Sequence, residues 1–151
     1  MIKIICVGKI KEKYFQDAIE EYKKRISKYT KLEIIEVMDE SIIDPKVALK
    51  KEEEKILKHI NPKDYIITLE IEGKALSSIE FSNALEKVNQ ISSNITFIIG
   101  GSFGLSDNIK NLSLKKISFS KMTFPHQLFR VILLEQIYRS FKISNNEAYH
   151  K

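Results

Sequence analysis

Two rhythms of apolar residues take turns along the chain. Short runs rich in β-branched residues at 2–7, 32–37, 65–71, 95–99 and 114–119 predict five strands. Tyr14, Phe15, Ala18, Ile19, Tyr22, Ile26 and Tyr29 instead fall at spacings that put one apolar stripe on a helix. Asp44 followed by Pro45 pairs an N-cap with a proline at the first helical position, opening a highly charged helix to about His59. Ser77 and Glu80 form a capping box that starts a helix to about Ile91. A short helix is expected after Ser106, and Pro125 introduces a long one to about Ile143, followed by a polar tail at 144–151. Strand and helix alternate throughout, which predicts an α/β fold with a mostly parallel sheet flanked by helices. With no Gly/Ser-rich linker, repeat or low-complexity block, residues 1–151 read as a single domain.

Composition narrows this picture without changing it. A chain of 151 residues buries roughly 70% of its unfolded surface and holds a core without staples. Apolar residues at 43% and charged residues at 30% fit a globular protein rather than a disordered one. The single cysteine, Cys6, excludes an intrachain disulfide and reads as a small buried hydrophobe inside its apolar run. The first apolar stretch is too short for a signal peptide, and no segment reaches the ~20 apolar residues of a membrane span, so a cytoplasmic protein is expected. The formal charge of +5 is compatible with a polyanionic partner such as RNA. Runs such as Lys23-Lys24-Arg25 and Lys50-Lys51 nevertheless sit beside glutamates, as solvated helix faces do.

Ligands of open α/β sheets bind beyond the carboxyl ends of the strands, which directs attention to three loops. In Leu69-Glu70-Ile71-Glu72-Gly73-Lys74 the glycine reads either as a turn or as one wall of a pocket. In Ile99-Gly100-Gly101-Ser102-Phe103-Gly104-Leu105, three of the chain's five glycines fall within five positions, a composition that lets backbone approach a ligand closely. Neither the dinucleotide fingerprint nor a phosphate-binding P-loop is present there. The third loop, 118–127, carries His126 at a helix start, where an imidazole either caps or acts. Glu135 and Arg139 are one helical turn apart, giving either modest helix support or an arginine held ready for a phosphate or a base. Tyr149, His150 and Lys151 end the chain with an aromatic, an imidazole and a cation, a set suited to stacking and phosphate contact. Composition alone favours a frayed end there. No Cys/His cluster suggests a metal.

The segments 97–105 and 114–127, then Arg130-Val131 with Glu135 to Arg139, the terminal Tyr149-His150-Lys151 and the opening run 4–13 together resemble the RlmH family, the bacterial 23S rRNA (pseudouridine-N3)-methyltransferases of the SPOUT class. The resemblance covers essentially the whole chain. It implies a SPOUT-type α/β knot, with a C-terminal trefoil knot, acting as a homodimer without a metal. It implies S-adenosylmethionine as cofactor, contacted by Leu69, Gly100, Phe119, Ser120, Lys121, Met122, Thr123 and Phe124, with Gly73, Gly101 and Gly104 shaping the pocket. The implied substrate is a pseudouridine of 23S rRNA within the 70S ribosome or its large subunit. His126, Arg130, Glu135, Arg139, Tyr149, His150 and Lys151 are the implied catalytic set, the tail being supplied by the partner chain. One departure is Ala148, where many members carry proline. The alternatives are a methyltransferase of the same fold acting on another RNA site, or a non-catalytic ribosome- or RNA-binding module.

Overall fold

Ten elements follow one another in the computed structural model, which describes residues 1–40 and 44–151. They are β1 (Ile2–Val7), α1 (Lys13–Ile26), β2 (Leu32–Val37), α2 (Pro45–Leu57), β3 (Tyr65–Ala75), α3 (Ser78–Ile91), β4 (Ile95–Ile99), α4 (Asp107–Leu112), β5 (Lys115–Ser118) and α5 (His126–Ser144). The strands form one five-stranded parallel sheet in the order β2-β1-β4-β3-β5. The predicted α/β architecture is therefore the observed one.

The sheet is buried on both faces, which is why its central strands read as near-continuous apolar runs. Alternation sorts their side chains. Ile4, Cys6, Ile67 and Phe97 pack beneath α1, α3 and α5, against Ile19, Leu85, Leu133, Leu134 and Ile137. Ile5, Val7 and Ile98 face the other way, against Ile56 of α2 and Ile109 of α4. Burial pushes the Cys6 thiol up to about 12, so it is an inert core group. The expected caps form: the Asp44 carboxylate accepts from the Lys46 amide at 3.0 Å, and Ser77 and Glu80 close their capping box.

Two boundaries differ from the sequence reading. β5 is shorter than expected, and β3 continues to Ala75 instead of stopping at Ile71. Ile117 pairs with both Leu69 and Lys74, so residues 70–73 leave the ladder as an arch and then rejoin it. Gly73 makes this possible, because a Cβ there would lie 2.7 Å from the Ile117 backbone. It is thus a point of close backbone passage rather than the end of a strand.

One charged side chain enters the middle of the sheet. Lys3, 4% exposed, donates to Asp64 at 3.0 Å and to the His59 carbonyl at 2.7 Å. The same Asp64 oxygen accepts from the Asn61 amide, so one ion pair fixes the 58–64 connection on β1. Removing one partner of a buried pair leaves the other charge uncompensated. Lys3→Met is expected to destabilise the protein by about 3–5 kcal/mol in urea unfolding, and Lys3→Met/Asp64→Asn to recover part of that loss.

Candidate active site

A cavity of about 470 Å³ opens at the arch of β3 and beyond the carboxyl ends of β4 and β5, the position where parallel sheets bind ligands. Its walls come from the three loops singled out in the sequence. Leu69, Gly100, Gly101, Gly104, Phe119, Ser120, Met122, Thr123, Phe124 and His126 all line it. Gly73 and Lys121 stand outside the lining. Gly73 shapes the wall through the arch it permits, and Lys121 is exposed. The lining also includes Glu70, Glu72 and Lys110, which sequence reasoning did not select. Glu70 and Glu72 lay inside a flagged loop, whereas Lys110, on a short helix, carried no signal.

Local structure holds each wall. The Gly104 amide donates to the Gly101 carbonyl at 3.0 Å, and Gly104 has a φ of +78°, which disfavours any side chain. A Cβ at Gly100 would run into the Gly104 backbone, so this turn closes only with glycine at both positions. In the third loop the Ser118 hydroxyl donates to the Ser120 carbonyl at 3.1 Å, and the Met122 amide donates to the Ser120 hydroxyl at 2.9 Å. Phe119 and Phe124 pack on Phe129 of α5 with centroids 5.4 and 6.5 Å apart. The loop is therefore anchored to the helix it leads into.

At the start of α5, His126 faces the cavity while Arg130, 2% exposed, turns inward. The Arg130 guanidinium donates to Glu36 at 2.6 Å, to the Gly8 carbonyl at 2.6 Å and more weakly to Nδ1 of His126 at 3.4 Å. A guanidinium only donates, so Nδ1 accepts and the imidazole proton sits on Nε2. Burial first, then the Arg130 charge, lower the His126 pKa, against smaller opposing effects of Asp39, Glu12 and Glu36. His126 is thus a neutral imidazole. Arg130 does not face the cavity, and its partner Glu36 was not anticipated.

The other expected residues gather elsewhere, along α5. Arg139 donates to Glu135 at 2.6 Å, completing the anticipated helical ion pair. The Tyr149 hydroxyl donates to the same Glu135 oxygen at 3.1 Å, and Arg139 lies over the Tyr149 ring at 4.7 Å. Arg139 also reaches Nδ1 of His150 at 3.1 Å. The tail is docked, in contrast to the frayed end that composition favours. Lys151 is exposed beside this cluster, none of whose members lines the cavity of its own chain.

Comparison with known proteins identifies the scaffold. The family described as "Predicted SPOUT methyltransferase" matches residues 1–150. The chain is 52% identical over 154 residues to the ribosomal RNA large subunit methyltransferase H of Caldicellulosiruptor saccharolyticus, covering 100% of both chains. It belongs to the SPOUT methyltransferase family, in the RlmH branch. Similar SPOUT relatives include the ribosomal RNA large subunit methyltransferase H of Clostridium botulinum (strain Okra / Type B1), 52% identical over 157 residues with 99% of each chain covered. A Methanococcus maripaludis (strain C5) relative is 59% identical over 160 residues, again with 99% of each chain covered. A solved probable methylase family protein from Haemophilus influenzae shares the fold at a TM-score of 0.57 and 15% identity, over 99% of this chain and 70% of that one. No helix among the described residues of this SPOUT chain is long and apolar enough to cross a membrane.

The depressed His126 pKa has a consequence for stability. The folded state holds the imidazole neutral, so its contribution is fully present above the ordinary value of 6.5 and is lost as pH falls toward the lowered folded value. Urea unfolding of the protein and of His126→Asn from about pH 8 to about pH 5 is expected to show the wild-type advantage shrinking below about pH 6.5.

Proposed function

We propose that the chain is an S-adenosylmethionine-dependent methyltransferase that modifies N3 of a pseudouridine in large-subunit ribosomal RNA. The observation that carries this reading is the cavity at the arch of β3 and the ends of β4 and β5. It combines apolar walls from Leu69, Ile99, Leu105 and Ile117 with a glycine turn whose backbone stands bare, a lining that suits an adenosine held on backbone groups. The names of the relatives, ribosomal RNA large subunit methyltransferase H, support the RNA substrate.

In this reading Leu69, Gly100 and residues 119–124 hold the cofactor, and Gly73, Gly101 and Gly104 shape its pocket. The cofactor, when bound, supplies an electrophilic methyl group. The protein's own work is to bring the base to it, exclude water and take up the N3 proton. His126, with its exposed face toward the cavity and its proton on Nε2, is a neutral donor at the pocket mouth. Arg130 is a positioning residue that sets the angle of α5. Arg139 stays charged, its pKa raised chiefly by the hydrogen bond to Glu135. Burial first, then Glu135, raise the Tyr149 pKa, which keeps that phenol protonated and makes it a donor. Glu135, the carboxylate of the cluster, is the acceptor assigned to the N3 proton, directly or through water.

Glu135, Arg139 and the tail do not line the cavity of their own chain, and a second copy would bring the two sets of residues together. A homodimer in which each tail, with Tyr149, His150 and Lys151, closes the partner's cavity would achieve this. A trefoil knot that fixes residues 119–125 against the arch of β3 belongs to the same proposal. A groove lined by Lys74, Lys87, Lys115 and Lys116 shares Ile117 with the cavity and supports a polyanionic substrate entering alongside it.

The test is transfer of labelled methyl from S-adenosylmethionine to 70S ribosomes and 50S subunits lacking the modification, with mass-spectrometric mapping. Label on N3 of a large-subunit pseudouridine is the expected product. Label at another nucleotide would make this a same-fold enzyme for a different RNA site. Absence of both transfer and cofactor binding would leave a non-catalytic RNA-binding module. Deleting residues 149–151 is expected to lower transfer by at least about tenfold while cofactor binding persists.

A further inference from the structure

Ile66, Thr68 and Glu70 lie on the α4 side of β3, because alternate residues of a strand share a face. Glu70 is the first residue of the arch, where the chain leaves register with β5, and its side chain is only 8% exposed at the cavity wall. Its Oε2 accepts the Thr68 hydroxyl at 2.6 Å, which fixes the carboxylate's orientation. Its Oε1 stands 3.8 Å from Nζ of Lys110 on α4, an ion-pair separation too long for a hydrogen bond. Lys110 lines the same cavity. Both charges thus keep hydrogen-bonding capacity directed at one space, and a nearly buried carboxylate is costly until that capacity is used.

We propose that Glu70 and Lys110 grip the amino-acid end of the cofactor, Glu70 accepting from its α-ammonium and Lys110 donating to its α-carboxylate. This rests on the cavity being the S-adenosylmethionine site. A zwitterion presents a cation and an anion side by side, and a carboxylate and an ammonium held just short of hydrogen-bonding distance match it with opposite sign. The other ionisable groups of the lining offer no such pair: Glu72 is exposed and His126 is kept neutral. The apolar remainder of the cavity is then left to the adenosine. The pair makes the site selective for an intact amino-acid end, which the glycine turn and the aromatic loop do not read.

Binding of three ligands to the full-length protein tests this: S-adenosylmethionine, its decarboxylated form, and 5′-methylthioadenosine, which lacks the amino-acid end. The wild type is expected to bind the decarboxylated form about 10–100-fold more weakly than S-adenosylmethionine. In Lys110→Met that gap closes, because the group that reads the carboxylate is gone. Glu70→Gln weakens both ammonium-bearing ligands by about tenfold. Both variants hold 5′-methylthioadenosine within about twofold of the wild type, which also reports that the pocket is folded. A wild type indifferent to decarboxylation, or a gap that survives Lys110→Met, overturns the assignment. Equal loss of all three ligands in the variants overturns it too, since the pair would then shape the pocket instead of reading the amino-acid end. A wild type that binds none of the three overturns the cofactor reading itself.

Discussion

The buried Arg130 guanidinium is the tie on which the geometry of this site depends. It joins α5 to the carboxylate of Glu36 on β2 and to the Gly8 carbonyl just past β1, with the His126 imidazole one helical turn before it. The Ile10 amide donates to the same Glu36 oxygen at 2.9 Å, so the exit from β1 is held by the same node. With Arg130 buried but the Glu36 side chain 37% exposed, the ion pair itself adds little to stability. What it supplies is a single geometry, because charge-assisted bonds in a planar fork tolerate little displacement. With the N-terminal turn of α5 held at the ends of two strands, the preceding loop must cross the end of the sheet. The cavity wall formed by Phe119, Ser120 and Phe124 follows from that crossing.

Much of this was legible in the sequence, for identifiable reasons. Strands buried on both faces announce themselves as apolar runs, and the caps at Asp44 and Ser77 announce helix starts. The cavity was legible because the clustered glycines at the end of β4 mark a tight turn whose backbone is left open to a neighbouring space. What the sequence did not reveal depends on pairs distant along the chain. Arg130 looks like any helical arginine until Glu36, far back in the sequence, is brought beneath it. The arch of β3 looks like a loop because Glu70 and Glu72 are polar, and only the second pairing with Ile117 shows the strand resuming. The docked tail was hidden for a different reason: its order comes from a chain reversal after α5 that brings Tyr149 and His150 back onto Glu135 and Arg139, and composition does not announce that turn.

The structure divides its chemistry between two places. One is a glycine-rich, largely apolar cavity with a few well-fixed polar groups, suited to a small ligand. The other is a charged and aromatic cluster on α5, suited to a base and its phosphates. The helix that separates them in the chain is also the element that connects them mechanically, since Arg130 lies between His126 and Glu135 on α5. The proposed dimer joins the two halves without requiring either to be rebuilt.

The docked tail also bears on the cost of binding at this surface. Ordering terminal residues such as Tyr149, His150 and Lys151, all three with long or aromatic side chains, costs conformational entropy of about 1–2 kcal/mol per residue for the backbone alone. Here Tyr149 and His150 are already seated on Glu135 and Arg139, so that ordering belongs to the folding of the chain and not to the encounter. Any ligand of this surface would meet a preorganised face, and none of its interaction energy would go into immobilising Tyr149 and His150.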